Sequence, residues 1–286
     1  MIKIDRIPSL SYFHTFILST SFKTRLHFTP NGPTMKYYGM LLATLILAGL
    51  LWSCSGQEAQ RDEQLASATR EIGEAYMRQG DYTSALRELI KAESLNPEDP
   101  FVQNSLGLCY MAKKRMPDAI SHFQKAVALK PSYTPARNNL GAAYLAVEEW
   151  DKAIETFKEI TRDALYATPQ FPLSNLGLAY YRKGDYPTSL NYYKEALKLQ
   201  PDLVNALFGT GRTYLAMNQG RLALRYLEQA VQLAPNVAEI HFHLGEAYLM
   251  TGEIEQARSS YETVVDLAPQ ESELTLKAKQ RLGTGR

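Results

Sequence analysis

Six glycines recur at steps of 34, 34, 36, 34 and 34 residues: Gly73, Gly107, Gly141, Gly177, Gly211 and Gly245. A tyrosine follows three places after each: Tyr76, Tyr110, Tyr144, Tyr180, Tyr214 and Tyr248. Twelve places after each glycine stands a small residue: Ala85, Ala119, Ala153, Ser189, Ala223 and Ala257. Five units reach a proline at one phase: Pro97, Pro131, Pro201, Pro235 and Pro269. The stretch Asn104–Pro131 gives the spacing its meaning. It reads as two amphipathic helices and a turn, stopped by Pro131. Gly107, Ala119 and Ala126 are small where two helices nearly touch, and Leu106, Tyr110 and Phe123 fill the space beside them. One such hairpin cannot bury its apolar faces, so the spacing predicts a stack.

The pattern resembles the tetratricopeptide repeat, whose period is about 34 residues. The resemblance implies an all-α solenoid of six helical hairpins over 66–271, with repeats at 66–99, 100–133, 134–169, 170–203, 204–237 and 238–271. A capping helix is expected at 272–286, from about Glu271 to Leu282. Leu274, Ala278 and Leu282 give it one apolar stripe, with Lys277, Lys279 and Arg281 in solvent. Repeat three departs from the pattern. Ile160 replaces the usual alanine, Leu165 stands where proline is expected, and two extra residues precede Gly177. Pro169 and Pro172 punctuate that segment, which reads either as a tolerated loop insertion or as a local change of curvature.

The N-terminal region carries a second pattern. Residues 1–34 contain no expected folded element and read as a non-native extension, with Met35 as the start. Over 35–53, Lys36 precedes an apolar run from Met40 to Trp52, the form of a signal peptide. It ends Leu51-Trp52-Ser53-Cys54, which resembles a bacterial lipobox. That resemblance implies cleavage before Cys54, acylation of the thiol, and an acylated new amino terminus. Residues 54–65 are then lipidated cysteine and polar tether. Ser55 after the cysteine, by resemblance to lipoprotein sorting in Gram-negative bacteria, implies the outer membrane. The alternative is a retained anchor, since the uncharged run Tyr37–Gln57 is long enough to span a bilayer.

The net charge of +1 offers no basic surface for nucleic acid. Without residues 1–53 the chain loses Lys3, Arg6, Lys23, Arg25, Lys36 and Asp5, which makes it about −3. No Ser/His/Asp set, phosphate loop or zinc spacing appears, so neither an enzyme, a cofactor nor a small-molecule substrate is expected. Cys109 occupies a column otherwise filled by alanine or threonine and reads as a space filler. His241 and His243 stand two apart on a helix and point in different directions.

In tetratricopeptide proteins the first helices line the concave face. The resemblance therefore implies a partner groove of Phe101, Asn104, Leu108, Met111, Asn138, Asn139, Phe171, Asn175, Leu178, Tyr181, Phe208, Arg212 and Phe242. Leu145, Arg182, Leu215, Glu246 and Leu249 belong to the same columns. Asn139 and Asn175 share a column suited to hydrogen-bonding a peptide backbone. Large apolar anchors would carry most of the affinity, and about half of these residues are expected to bury against the next repeat. Glu74 and Ser105 replace two asparagines of the clamps that hold free acidic C-termini, which disfavours that ligand.

Lipobox, tether, six repeats and cap together resemble the pilotin lipoproteins of type IV pili (the PilF/PilW/Tgl type). The most specific part is NNLGAAY, RDALY and LSNLGLAYYRKGDY in repeats three and four. That family implies a protein partner, a secretin subunit, delivered to and multimerised in the outer membrane. A lipoprotein scaffold for other envelope assembly or for peptidoglycan enzymes has the same anchor and repeats and stays open.

Overall fold

The computed structural model describes residues 33–162 and 167–284. The chain divides into two units, Met1–Ala59 and Gln60–Arg286. Helix α1 is Pro33–Arg78. The expected extension 1–34 falls almost wholly outside the described residues, as do the side chains of Leu51 to Cys54. The tether Ser55–Gln64 is helical. Among the described residues no helix is long and apolar enough to cross a membrane.

The second unit holds the repeats. Repeat one ends α1 and continues in α2 (Tyr82–Leu95); repeat two is α3 (Pro100–Ala112) and α4 (Met116–Leu129). Repeat three is α5 (Thr134–Ala146) and α6 (Trp150–Thr161); repeat four is α7 (Gln170–Arg182) and α8 (Tyr186–Leu199). Repeat five is α9 (Val204–Ala216) and α10 (Gly220–Leu233), repeat six α11 (Ala238–Thr251) and α12 (Ile254–Leu267), and α13 (Glu273–Thr284) closes the stack. Among the described residues there is no strand. Six hairpins and a cap is the architecture expected.

Each signature glycine receives the side chain sixteen residues later. A Cβ on Gly107 would lie 2.5 Å from Phe123 Cε1, and on Gly141, Gly177 and Gly245 it would meet Phe157, Tyr193 and Tyr261 at 2.7 Å. Gly73 and Gly211 admit Leu89 and Leu227 in the same way. The small residues of the twelve-place column are fully buried, from Ala85 to Ala257. In repeat three Ile160 is fully buried, so the larger side chain fills core. Helix α6 is 12 residues where the other second helices have 14, and Leu165 and its neighbours 163–166 lie outside the described residues.

The signature tyrosine also ends its helix. The backbone N–H five places on donates to its carbonyl in all six repeats, from Asp81 to Tyr76 through Glu253 to Tyr248, at 2.9–3.0 Å. That closure puts the residue seven places after the glycine in the left-handed region: Gly80, Lys114, Glu148, Gly184, Asn218 and Gly252. The cap packs as its stripe foretold. Ala278 is fully buried, and Leu274 and Leu282 lie against Tyr261 and Val264. Arg281 is not simply solvated, since its guanidinium clasps Glu246 at 2.7 and 2.9 Å.

Candidate partner groove

The first helices of neighbouring repeats, from α3 through α11, approach within 8 Å of one another, whereas among the described residues the second helices do not. The crowded side of a curved stack is its inner side. Side chains three and two places before each glycine therefore meet across repeat boundaries on that inner face.

Those meetings form a seam. At the second boundary Asn139 Nδ2 donates to Asn104 Oδ1 at 2.9 Å. At the third, Asn175 Nδ2 donates to Asn138 Oδ1 at 3.3 Å. At the fifth, Phe208 and His243 are in ring contact, with centroids 5.4 Å apart. One hydrogen-bond donor of Asn139 and of Asn175 is thus turned to a neighbouring repeat, where the sequence had both facing a peptide. Asn104 is buried. At the first boundary, Ser105 Oγ donates to Glu74 Oε1 at 2.7 Å, and Arg70 holds the same carboxylate at 2.6 Å.

The fourth boundary breaks the seam. It pairs Ser174 with Gly209, and Gly209 has no side chain to offer. The Tyr193 ring occupies the position a Cβ at 209 would take. Burial and the nearby Tyr181 hold the Tyr193 phenol well above its ordinary range, against the opposing pull of Arg212 and Arg182. Beside it lies a cavity of about 290 Å³, lined by Asn175, Leu178, Arg182, Phe208, Arg212 and Glu239 among others. It adjoins a second of about 410 Å³ that includes Leu145, Ala146, Trp150 and Leu178, and a third of about 440 Å³ at Phe242, His243 and Lys277. Shared residues make one channel across repeats three to six.

Arg212 lies in the middle of this channel. Its guanidinium carbon sits 4.7 Å from the Tyr181 ring centroid and 4.8 Å from that of Phe208. Its side chain is 10% exposed, its Nη1 stands 3.3 Å from Glu239 Oε1, and its Nε has no partner. Glu239 is 52% exposed. His243 lies nearby, between Phe208 and Phe242. Burial, Arg212 and Lys277 push its pKa down to about 4.

The remaining expected residues divide between surface and core. Phe101 and Phe171 are 37% and 44% exposed. Phe101 packs edge-on against Tyr133 and under the Lys130 ammonium. Leu108 and Met111 lie half-buried against the core of repeats two to four. Phe242 packs on Tyr261. Cys109 is buried, and its thiol points to Tyr82 O at 3.3 Å. Sequence reasoning missed Tyr193, Gly209, Trp150 and the aromatic setting of His243. Gly209 carried a signal, as it stands in a column otherwise made of side chains that reach across a boundary. Among the described residues no three His, Cys, Asp or Glu side chains gather as a metal site would require.

Tetratricopeptide-repeat family models match residues 70–134 and 208–272, 172–236, and 110–165. A curated relative, the Photosystem I assembly protein Ycf3 of Acaryochloris marina (strain MBIC 11017), is 46% identical over 39 residues, which is 14% of this chain and 24% of that protein. The fold is similar to that of PilW, described as a widely conserved type IV pilus biogenesis factor, with a TM-score of 0.69 and 20% identity over 76% of this chain and 99% of that one. It is also similar to PilF of Pseudomonas aeruginosa, with a TM-score of 0.65 and 17% identity over 77% and 98%. With its six glycine-centred hairpins and these matches, the chain belongs to the tetratricopeptide-repeat family.

Proposed function

We propose that this protein is a lipid-anchored binding protein of the outer membrane's periplasmic face. Its inner channel grips a segment of a secretin subunit and promotes that subunit's targeting and multimerisation in type IV pilus biogenesis. The observation that carries the binding half is the continuous channel across repeats three to six, with apolar side chains and interleaved Asn and Arg. A groove of that make-up suits an extended or helical segment with large apolar anchors. The likeness in fold to PilW and PilF supports the pilus setting. The Leu51–Cys54 sequence supports the anchor, and several acyl chains on one cysteine give stable attachment where one chain is marginal.

The test uses two variants in the native host. Cys54→Ala should abolish lipid labelling and outer-membrane partition. Phe171→Ala combined with Phe208→Ala should leave helicity and location intact and remove heat-resistant secretin multimers from membranes. Normal multimers in a folded, correctly located double variant contradict the groove. Unchanged partition of Cys54→Ala, with no label in wild type, contradicts the anchor.

A further inference from the structure

The break in the inter-repeat seam at Gly209 is where the inner face stops satisfying itself. At the other boundaries a side-chain contact bridges adjacent first helices. Here Gly209 offers no side chain to bridge the gap, and the cavity beside it is floored by an arginine. Arg212 is held between two aromatic rings, nine-tenths buried, with its Nε unpartnered, the Tyr193 phenol beside its guanidinium and one long contact to a carboxylate, that of Glu239. A guanidinium so clamped is preorganised to accept a carboxylate edge-on through two parallel hydrogen bonds. The half-exposed Glu239 occupies only one of its nitrogens. Arg182 stands at the rim of the same cavity, exposed. Leu178 lies between this cavity and the next, an apolar surface beside the two charges.

We infer that this cavity is a carboxylate-binding subsite that receives an Asp or Glu side chain of the partner segment, with apolar residues on either side of it. The acid lies between Arg182 and Arg212, and Glu239 holds its place until the segment arrives. The flanking apolar residues rest on Leu178 and on the exposed edge of Phe208. Charge complementarity singles out an acidic segment, because the two arginines that line the cavity face one carboxylate, Glu239. This inference rests on the groove reading above.

Random twelve-residue peptides displayed on phage, selected against the full chain, test it. The enriched peptides are synthesised with their acidic residue intact and as the amide. Dissociation constants are measured by fluorescence anisotropy for wild type, Arg182→Gln, Glu239→Gln and Leu178→Ala, each checked for helicity. Arg212 is left alone because its burial makes loss of folding the first consequence of changing it. The enriched sequences should carry Asp or Glu between apolar residues. Amidation of the peptide and Arg182→Gln should each weaken binding about tenfold, and less than the product when combined. Glu239→Gln should tighten binding by removing the competing carboxylate. Peptides that need Leu178 yet ignore both amidation and Arg182→Gln overturn the carboxylate subsite and leave the groove standing. Peptides that ignore Leu178→Ala as well, or a selection with no enrichment, overturn both.

Discussion

Asn139 Nδ2 donates to Asn104 Oδ1 at 2.9 Å across the boundary between repeats two and three. Asn104 is buried and Asn139 partly exposed, so the pair stitches two hairpins together at the edge of the core. Asn104→Ala leaves the partly exposed Asn139 amide to water and should cost roughly 0.5–1.5 kcal/mol. A double-mutant cycle with Asn139→Ala should return a coupling of about 0.5–1.5 kcal/mol. Additive losses in urea unfolding would mean the pair contributes nothing across the boundary.

Packing in the second repeat sets a further expectation. Ala119 is fully buried in the core that joins repeats two to four. Ala119→Leu inserts side-chain volume where none is free and should destabilise by roughly 1–3 kcal/mol. Coupling in a solenoid runs between nearest neighbours, so hydrogen exchange should quicken in repeats one to three and stay unchanged in repeat six. A thermal melt identical to wild type would contradict this close approach of helices.

Three turns carry side chains where the backbone favours none, at Lys114, Glu148 and Asn218, and asparagine alone of these tolerates that conformation well. Lys114 and Glu148 have φ of 58° and 61°, in the position that glycine fills in three other repeats. Lys114→Gly and Glu148→Gly should each stabilise the fold by about 0.5–1 kcal/mol, because the relief of left-handed strain exceeds glycine's added chain entropy. Destabilisation by either change would show that the side chain's own contacts outweigh that strain.

The pH dependence follows from His243. Its pKa is pushed from the ordinary 6.5 down to about 4 by burial first, then by Arg212 and Lys277. The unfolded chain takes up a proton on this histidine near pH 6.5, and the folded chain only near pH 4. The contribution is therefore complete above pH 6.5 and is lost as pH falls toward 4, by up to about 3 kcal/mol. His122, lowered chiefly by burial, adds in the same direction. His243→Phe should flatten the fall in urea midpoint between pH 7 and pH 4.5, and an unchanged slope would contradict the assignment.

How much was legible in the sequence depended on whether a residue acts within its repeat or between repeats. Gly107, Ala119 and Phe123 contact one another inside one hairpin, so periodicity alone located them. Columns named for the groove mixed two roles. Phe101 and Phe171 stay exposed, while Asn104 is buried by its neighbour. The register of one helix on the next decides between those fates, and no single repeat encodes it. Tyr193 escaped notice because its role depends on an absence, the missing side chain at Gly209. The left-handed column was visible in Gly80, Gly184 and Gly252, but Lys114 and Glu148 disguised it.

In the proposed function the inner face, and not the outer one, grips a secretin segment. Ala146 is exposed and lines the channel on α5, and Glu195 is exposed on the second helix α8. A photocrosslinking p-benzoylphenylalanine replacing each in turn, in growing cells of the native host, separates the two faces. A crosslink to a secretin subunit is expected from position 146 and none from position 195. A secretin crosslink from 195 alone, from both positions equally, or from neither in a folded protein would contradict it.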